Sequence, residues 1–323
     1  MSEYKKIHGI HIQALASDPS NLGAGQVWYN TTTNKLKITA VSTSGAWASG
    51  GNMATARYYL AGTGTQTAGL AFGGRTPSTT NATEHYDGSA WTAGGNLATA
   101  RYSLAGAGTQ TAGLAFGGRT PSTTNATENY DGSAWTAGGN LGTARDKSSG
   151  CGTQTAGLAF GGFDGANSIN ATEHYDGSSW TSGGNMATGR YKLSGCGTLS
   201  AGLAFGGFDQ SSTVNATEHY DGSAWTAGGN MGTARTSLAG AGTQTAGLAF
   251  GGYDTSTTNA TEEYDGSAWT AGGNMATARY YLAGAGTLSA GLAFGGRSPS
   301  TSNATEEYTG PGGTFVTQTV TSS

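Results

Sequence analysis

Six arginines and six glutamates recur in step along this chain. They are Arg57, Arg101, Arg145, Arg190, Arg235 and Arg279, and Glu84, Glu128, Glu173, Glu218, Glu262 and Glu306. Two chemistries suit such a set. A ring of charges could surround a ligand, or each arginine could pair with a carboxylate inside its own repeat, since a guanidinium grips a carboxylate in a defined geometry and orients what carries it. The set persists whatever the neighbouring loops contain. The expected role is therefore structural, tying the start of one strand to another.

The remaining reactive side chains are sparse. Cys151 and Cys196 occupy a position held elsewhere by Ala107, Ala241, Ala285 and Thr63. A disulfide or a metal pair is one reading. Two thiols fall short of a zinc set, however, and a free cysteine behaves as a small buried hydrophobe, which is the expected role here. His85, His174 and His219 alternate with Asn129, Glu263 and Glu307. A metal site would not tolerate that exchange, so they are expected to be solvated strand positions. Asn-Ala-Thr occurs six times and fits the glycosylation rule, but Asn81 and its equivalents read as residues that close a turn. No Gly-x-Ser-x-Gly elbow, Walker-type loop or metal-spaced His/Cys set is present. The chain reads as a non-enzyme without a cofactor.

What positions these residues is a repeat. Tryptophans 47, 91, 135, 180, 225 and 269 follow one another at intervals of 44, 44, 45, 45 and 44 residues. A fixed period in this range marks a propeller or solenoid. Within a unit the sequence predicts four short strands: Tyr102–Gly106 of small residues, Gly69–Gly74 with Leu70 and Phe72 on one face, Asn81–Tyr86, and a strand around Trp91. Asp87-Gly88 is a hairpin signal between the last two. No stretch has apolar residues at helical spacing. Although 58 glycines and 11% charged residues hint at disorder, disorder does not require Trp, Tyr and Phe at constant phase.

A hydrophobic strand ending in Gly-Gly, then Tyr-Asp, then Trp, then Met-x-x-x-Arg resembles the kelch repeat, six times over residues 46–308. The resemblance implies an all-β fold, a β-propeller of four-stranded blades, with the strand Ala105-Gly106-Ala107-Gly108 lining a narrow central channel and the Trp strand outermost. Counting strands gives six blades. The repeat begins on an outer strand and ends on a third strand, so the ring should close by giving the Trp47 strand to the last blade. A seven-bladed ring using residues 25–50 and 314–321 is the alternative. Thr314–Val320 alternates as a strand that could compete with Trp47 or pair with residues 25–41.

The repeats disagree most in the loop between the second and third strands. It begins with Arg75, Arg119, Phe163-Asp164, Phe208-Asp209, Tyr253-Asp254 and Arg297. Exposed aromatics beside Asp, and Arg beside Pro, suit stacking on sugars or gripping a protein patch, and such loops sit on a rigid scaffold. These nine residues are the candidate binding set.

Residues 1–45 precede the repeat and form a separate N-terminal β extension, with the propeller occupying 46–323. Its segment GQVWYNTTTNKLKI is similar to one common in phage tail-fibre and other virion proteins. That resemblance implies a structural virion protein, localised to the phage tail or capsid surface and oligomeric in the particle. It would be attached to other virion proteins through residues 1–45 and would present the propeller to a host-surface glycan or protein. A cellular kelch adaptor or lectin is the alternative. The net charge of −4 and scattered basic residues argue against nucleic acid. No apolar run of membrane-spanning length or signal-peptide core is seen, so no membrane association is expected.

Overall fold

The computed structural model describes residues 12–19, 26–41, 45–311 and 315–319. All regular structure there is β. Six four-stranded antiparallel sheets form the blades of a β-propeller. Blade 1 comprises Ala61–Thr65, Ala68–Phe72, Thr83–Tyr86 and Trp91–Ala93, and blade 2 Ala105–Gly108, Gly113–Phe116, Thr127–Tyr130 and Trp135–Ala137. Blades 3, 4 and 5 repeat the pattern from Ser149, Ser194 and Ala239. Blade 6 combines Ala283–Gly286, Ala290–Phe294 and Thr305–Thr309 with Ala46–Ser49, whose Trp47 pairs with Tyr308. The strand that starts the repeats thus completes the last blade, and among the described residues the propeller has six blades.

The blades bury their aromatics against one another. Phe72 meets Trp135 of the next blade at 4.9 Å between ring centroids, and Phe294 meets Trp91 in the same way across the closure. These rings fit because the facing inner strand is glycine at the contact: a Cβ on Gly106 would lie 2.6 Å from Phe72 Cζ. Each of the six repeat tryptophans also donates its Nε1–H to a threonine hydroxyl of the preceding blade, including Trp91 to Thr305 and Trp47 to Thr261, both at 2.9 Å. An indole is thereby sealed in apolar contact while its one polar atom is satisfied.

Inner strands begin later than the sequence suggests, at Ala105 rather than Tyr102. The cause lies at the second residue after each arginine. Tyr59, Ser103, Lys147, Lys192, Ser237 and Tyr281 all adopt left-handed backbone, with φ between 53° and 58°. Non-glycine residues avoid this region unless their surroundings hold them there. The hold is visible: each of the six donates its N–H to the carbonyl of its counterpart in the preceding blade, at 2.8–3.0 Å, from Ser103 to Tyr59 round to Tyr59 to Tyr281. Six interblade hydrogen bonds form an unbroken circle. The kink that delays the start of each inner strand also supplies the hydrogen bonds that run round the ring.

A second unit consists of 1–45 and 311–323, so the propeller unit ends at Gly310 rather than at 323. Its sheet runs Gln13–Leu15, Val27–Asn30, Lys35–Val41, Phe315–Thr319. The C-terminal strand pairs antiparallel with Lys35–Val41, Lys37 opposite Thr319. It does not compete with Trp47, because Ala46–Ser49 already occupies the edge of blade 6. Asp18 organises this unit, accepting from Trp28 Nε1 (3.0 Å) and Asn30 Nδ2 (2.8 Å). Residues 1–11, 20–25 and 42–44 of the expected attachment segment lie outside the described residues.

Candidate functional site

The arginines and glutamates meet in every blade. Arg101 Nη1 donates to the carbonyls of Gly117 and Ala126, both at 2.9 Å, and Nη2 to Glu128 Oε1 at 2.7 Å. Glu128 Oε2 then accepts the backbone N–H of Ala98 at 2.7 Å. The pairs Arg57–Glu84, Arg190–Glu218 and Arg235–Glu262 (2.7 Å), Arg279–Glu306 (2.8 Å) and Arg145–Glu173 complete the set. Each pair fastens the loop arriving from one blade onto the second and third strands of the next. All six arginines are buried, so no guanidinium faces a ligand. Burial draws the Arg101 pKa below its ordinary value, and the charge and hydrogen bond of Glu128 oppose that drift.

The candidate loop residues gather on one face. Arg75, Arg119, Phe163, Phe208, Tyr253 and Arg297 each form a β-bridge with the residue after a ring arginine: Tyr58, Tyr102, Asp146, Tyr191, Thr236 and Tyr280 respectively. Only part of the set projects outward. Phe163 and Phe208 are half-buried, packed on Tyr191 at 5.4 and 5.5 Å, contrary to their reading as exposed aromatics; Tyr253 is 40% exposed. The reason is the bridge itself, which lays these rings beside the neighbouring tyrosine. Asp164, Asp209 and Asp254 fold their own loops, each accepting backbone N–H groups two or three residues on, such as Asn167 at 2.7 Å, Ser212 at 2.8 Å and Ser256 at 2.8 Å. Arg75 lies over Tyr102 (4.9 Å), Arg297 over Tyr58 (5.6 Å), and Arg119 reaches Asp146 (3.7 Å).

Inside this rim lies the channel mouth, lined by residues that the sequence reading did not single out. Tyr59, Ser103, Lys147, Lys192, Ser237 and Tyr281 surround a cavity of about 100 Å³, floored by the residues that follow them. Tyr59 and Tyr281 stack at 3.7 Å. The Lys147 and Lys192 ammonium groups each lie 5.6 Å from the Tyr191 ring. Burial alone would raise the Tyr281 phenol, but a hydrogen bond with Tyr59 and the charge of Lys192 outweigh it and bring the group below its ordinary value. Burial and the hydrogen bond with Tyr281 push Tyr59 up. The available signal was the disagreement among repeats two residues after each arginine, where Tyr, Ser and Lys exchange, and at Ser148, which stands where the other repeats have leucine.

The three histidines of the third strands are half-buried and hydrogen-bonded rather than freely solvated. His85 Nε2 lies 2.7 Å from the Tyr130 hydroxyl of the next blade, His174 2.6 Å from Tyr220, and His219 2.7 Å from Tyr264. Asn129, Glu263 and Glu307 meet Tyr175, Tyr308 and Tyr86 in the same way. Histidine, asparagine and glutamate exchange here because each can hydrogen-bond a phenol. Cys151 and Cys196 are buried free thiols. Among the described residues no three His, Cys, Asp or Glu side chains group so as to hold a metal ion.

The fold and its mouth define a closed propeller with a cavity at the mouth of its axial channel. No family model matches the chain, and no curated protein matches it.

Proposed function

We propose that the chain is a non-enzymatic structural protein of a phage virion that displays its propeller for binding, to a host-surface glycan or protein or to another virion protein. The observation that carries this reading is the placement of the tail-fibre-like segment. Val27–Asn30 and Lys35–Val41 belong to a small sheet unit, separate from the propeller and completed by the other end of the chain. Such a division suits one part for attachment and the other for display. The kelch-like repeats supply the display scaffold, whose buried ion pairs leave the loops free to vary. Mass spectrometry of purified particles tests the proposal: the chain should be found among the virion proteins, and its absence would remove the reading.

A cellular kelch-type adaptor or lectin-like module is the second reading, favoured by the lysine- and tyrosine-lined mouth. Capsid or tail genes beside the reading frame support the first, and a cellular operon supports the second.

A further inference from the structure

Three residues after each arginine the chain places a leucine collar across the channel: Leu60, Leu104, Leu193, Leu238 and Leu282, with Ser148 in the sixth place. Blade 3 departs from the other five at Asp146 and at Ser148, while Lys147 and Ser149 recur in blade 4 as Lys192 and Ser194. Elsewhere a collar leucine fills the space beside the glycine that ends the second strand. A Cβ on Gly73 would meet Leu104 Cδ2 at 3.0 Å, and one on Gly161 would meet Leu193 Cδ2 at 3.1 Å. Beside Gly117 the three atoms nearest to a Cβ would be Arg145 O at 2.6 Å and Arg145 Cγ and Leu141 Cδ1 at 3.6 Å, none of them from Ser148. The collar is notched.

The notch is polar and unsatisfied. The hydroxyls of Ser148 and of Ser103, in the neighbouring blade, are both buried and hydrogen-bond to no protein group. A buried hydroxyl without a partner is unfavourable by an amount comparable to a lost hydrogen bond, so such groups normally have one. Two together at one cavity point to a guest with hydroxyls of its own. Positive charge stands beside them. Lys147 has Asp146 as counter-ion at 3.4 Å, and Arg119 shares that carboxylate. Lys192 makes no ion pair among the described residues and lies by Tyr281. The stacked Tyr59–Tyr281 pair supplies an aromatic wall.

We infer that the notched channel mouth binds the carboxylate-bearing end of an acidic sugar. The carboxylate sits at Lys192, sugar hydroxyls pair with Ser103 and Ser148, and the apolar sugar face lies on the tyrosine pair. Hydroxyl partners favour a sugar over a bare anion, and the ammonium at Lys192 favours an acidic sugar over a neutral one. A cavity of about 100 Å³ takes the end of one ring rather than a chain lying across it. The inference rests on the display reading for its biological setting, since it names the surface group the propeller would meet. Failure to bind sugar leaves the particle test untouched, and absence from particles leaves the pocket intact.

Titration calorimetry of the full chain with glucuronate tests it, with glucose and inorganic phosphate as comparators. Glucuronate should bind at least tenfold more tightly than either. Lys192→Ala should weaken glucuronate at least tenfold. Ser148→Leu, which restores the collar found in the other five blades, should abolish binding without lowering the melting temperature. No heat with glucuronate, equal affinity for glucose or phosphate, or undiminished binding by either variant would overturn the assignment.

Discussion

The backbone N–H of Tyr59 donates to the carbonyl of Tyr281 at 3.0 Å, while their rings stack at 3.7 Å. These residues lie just ahead of the first and last inner strands, Ala61–Thr65 and Ala283–Gly286, so one contact joins the two ends of the repeat array. Closure of this kind packs the first blade on the last and covers the sheet faces that an open array would present, as Phe294 against Trp91 shows. It also places two tyrosines side by side at the channel mouth, where scaffold and candidate site share residues.

Each Arg–Glu pair should be needed for folding stability. Arg101→Ala leaves Glu128 buried among groups that no longer neutralise it, which costs roughly 3–5 kcal/mol. Thermal and urea denaturation should show this loss. A replacement of both residues by apolar side chains should recover part of it. An unchanged melting temperature in Arg101→Ala would mean that the pair contributes nothing.

Stability should fall with acidification in a window set by three histidines. Burial holds His85, His174 and His219 below the ordinary value of 6.5, so they stay neutral in the folded protein. The unfolded chain takes up protons first, as pH drops through 6.5. Their contribution is therefore complete above 6.5 and is lost as pH falls toward the folded values. Melting temperatures measured between pH 7.5 and 5 should decline over that range. Replacing all three by Asn, the residue found at 129, should flatten the decline.

The cysteines should be inert in the native protein. Burial pushes the Cys151 thiol up to about 12 and Cys196 well above its usual value. Since the thiolate is the reactive form, a disulfide reagent at pH 8 should label both only as the chain unfolds. Rapid native labelling would place them at an accessible surface instead.

Filling the collar should stabilise the propeller. Ser148→Leu adds a buried leucine where five blades already have one and removes an unpartnered hydroxyl. Full burial of a leucine side chain contributes roughly 1.5–3 kcal/mol. The melting temperature should rise, and a fall would mean that the space beside Gly117 does not admit the side chain.

Much of this architecture is legible in the sequence because the repeat samples each position six times. Trp47 standing one strand ahead of the first full unit is enough to place it in the last blade. The Arg and Glu phases can be read the same way. The C-terminal strand is not legible, since an alternating Thr/Val segment suits either free edge; only the occupied edge of blade 6 decides. The histidines look solvated because each phenol partner lies about one repeat away, in the next blade. Phe163 and Phe208 look exposed because a bridge to Asp146 and Tyr191 cannot be inferred from a loop's composition. The channel mouth was overlooked for another reason. Its residues fall inside an otherwise constant stretch, where exchanges among Tyr, Ser and Lys resemble drift until the backbone brings them round one axis.

The central claim is that six blades close into a ring through the left-handed residues at the mouth. The most direct test is the through-hydrogen-bond scalar coupling between the Tyr59 amide nitrogen and the Tyr281 carbonyl carbon, measured by NMR on deuterated protein. A resolved coupling, matching those of the five equivalent pairs, is the predicted result. Couplings at the other five pairs with none between Tyr59 and Tyr281 would show an open array and contradict the account.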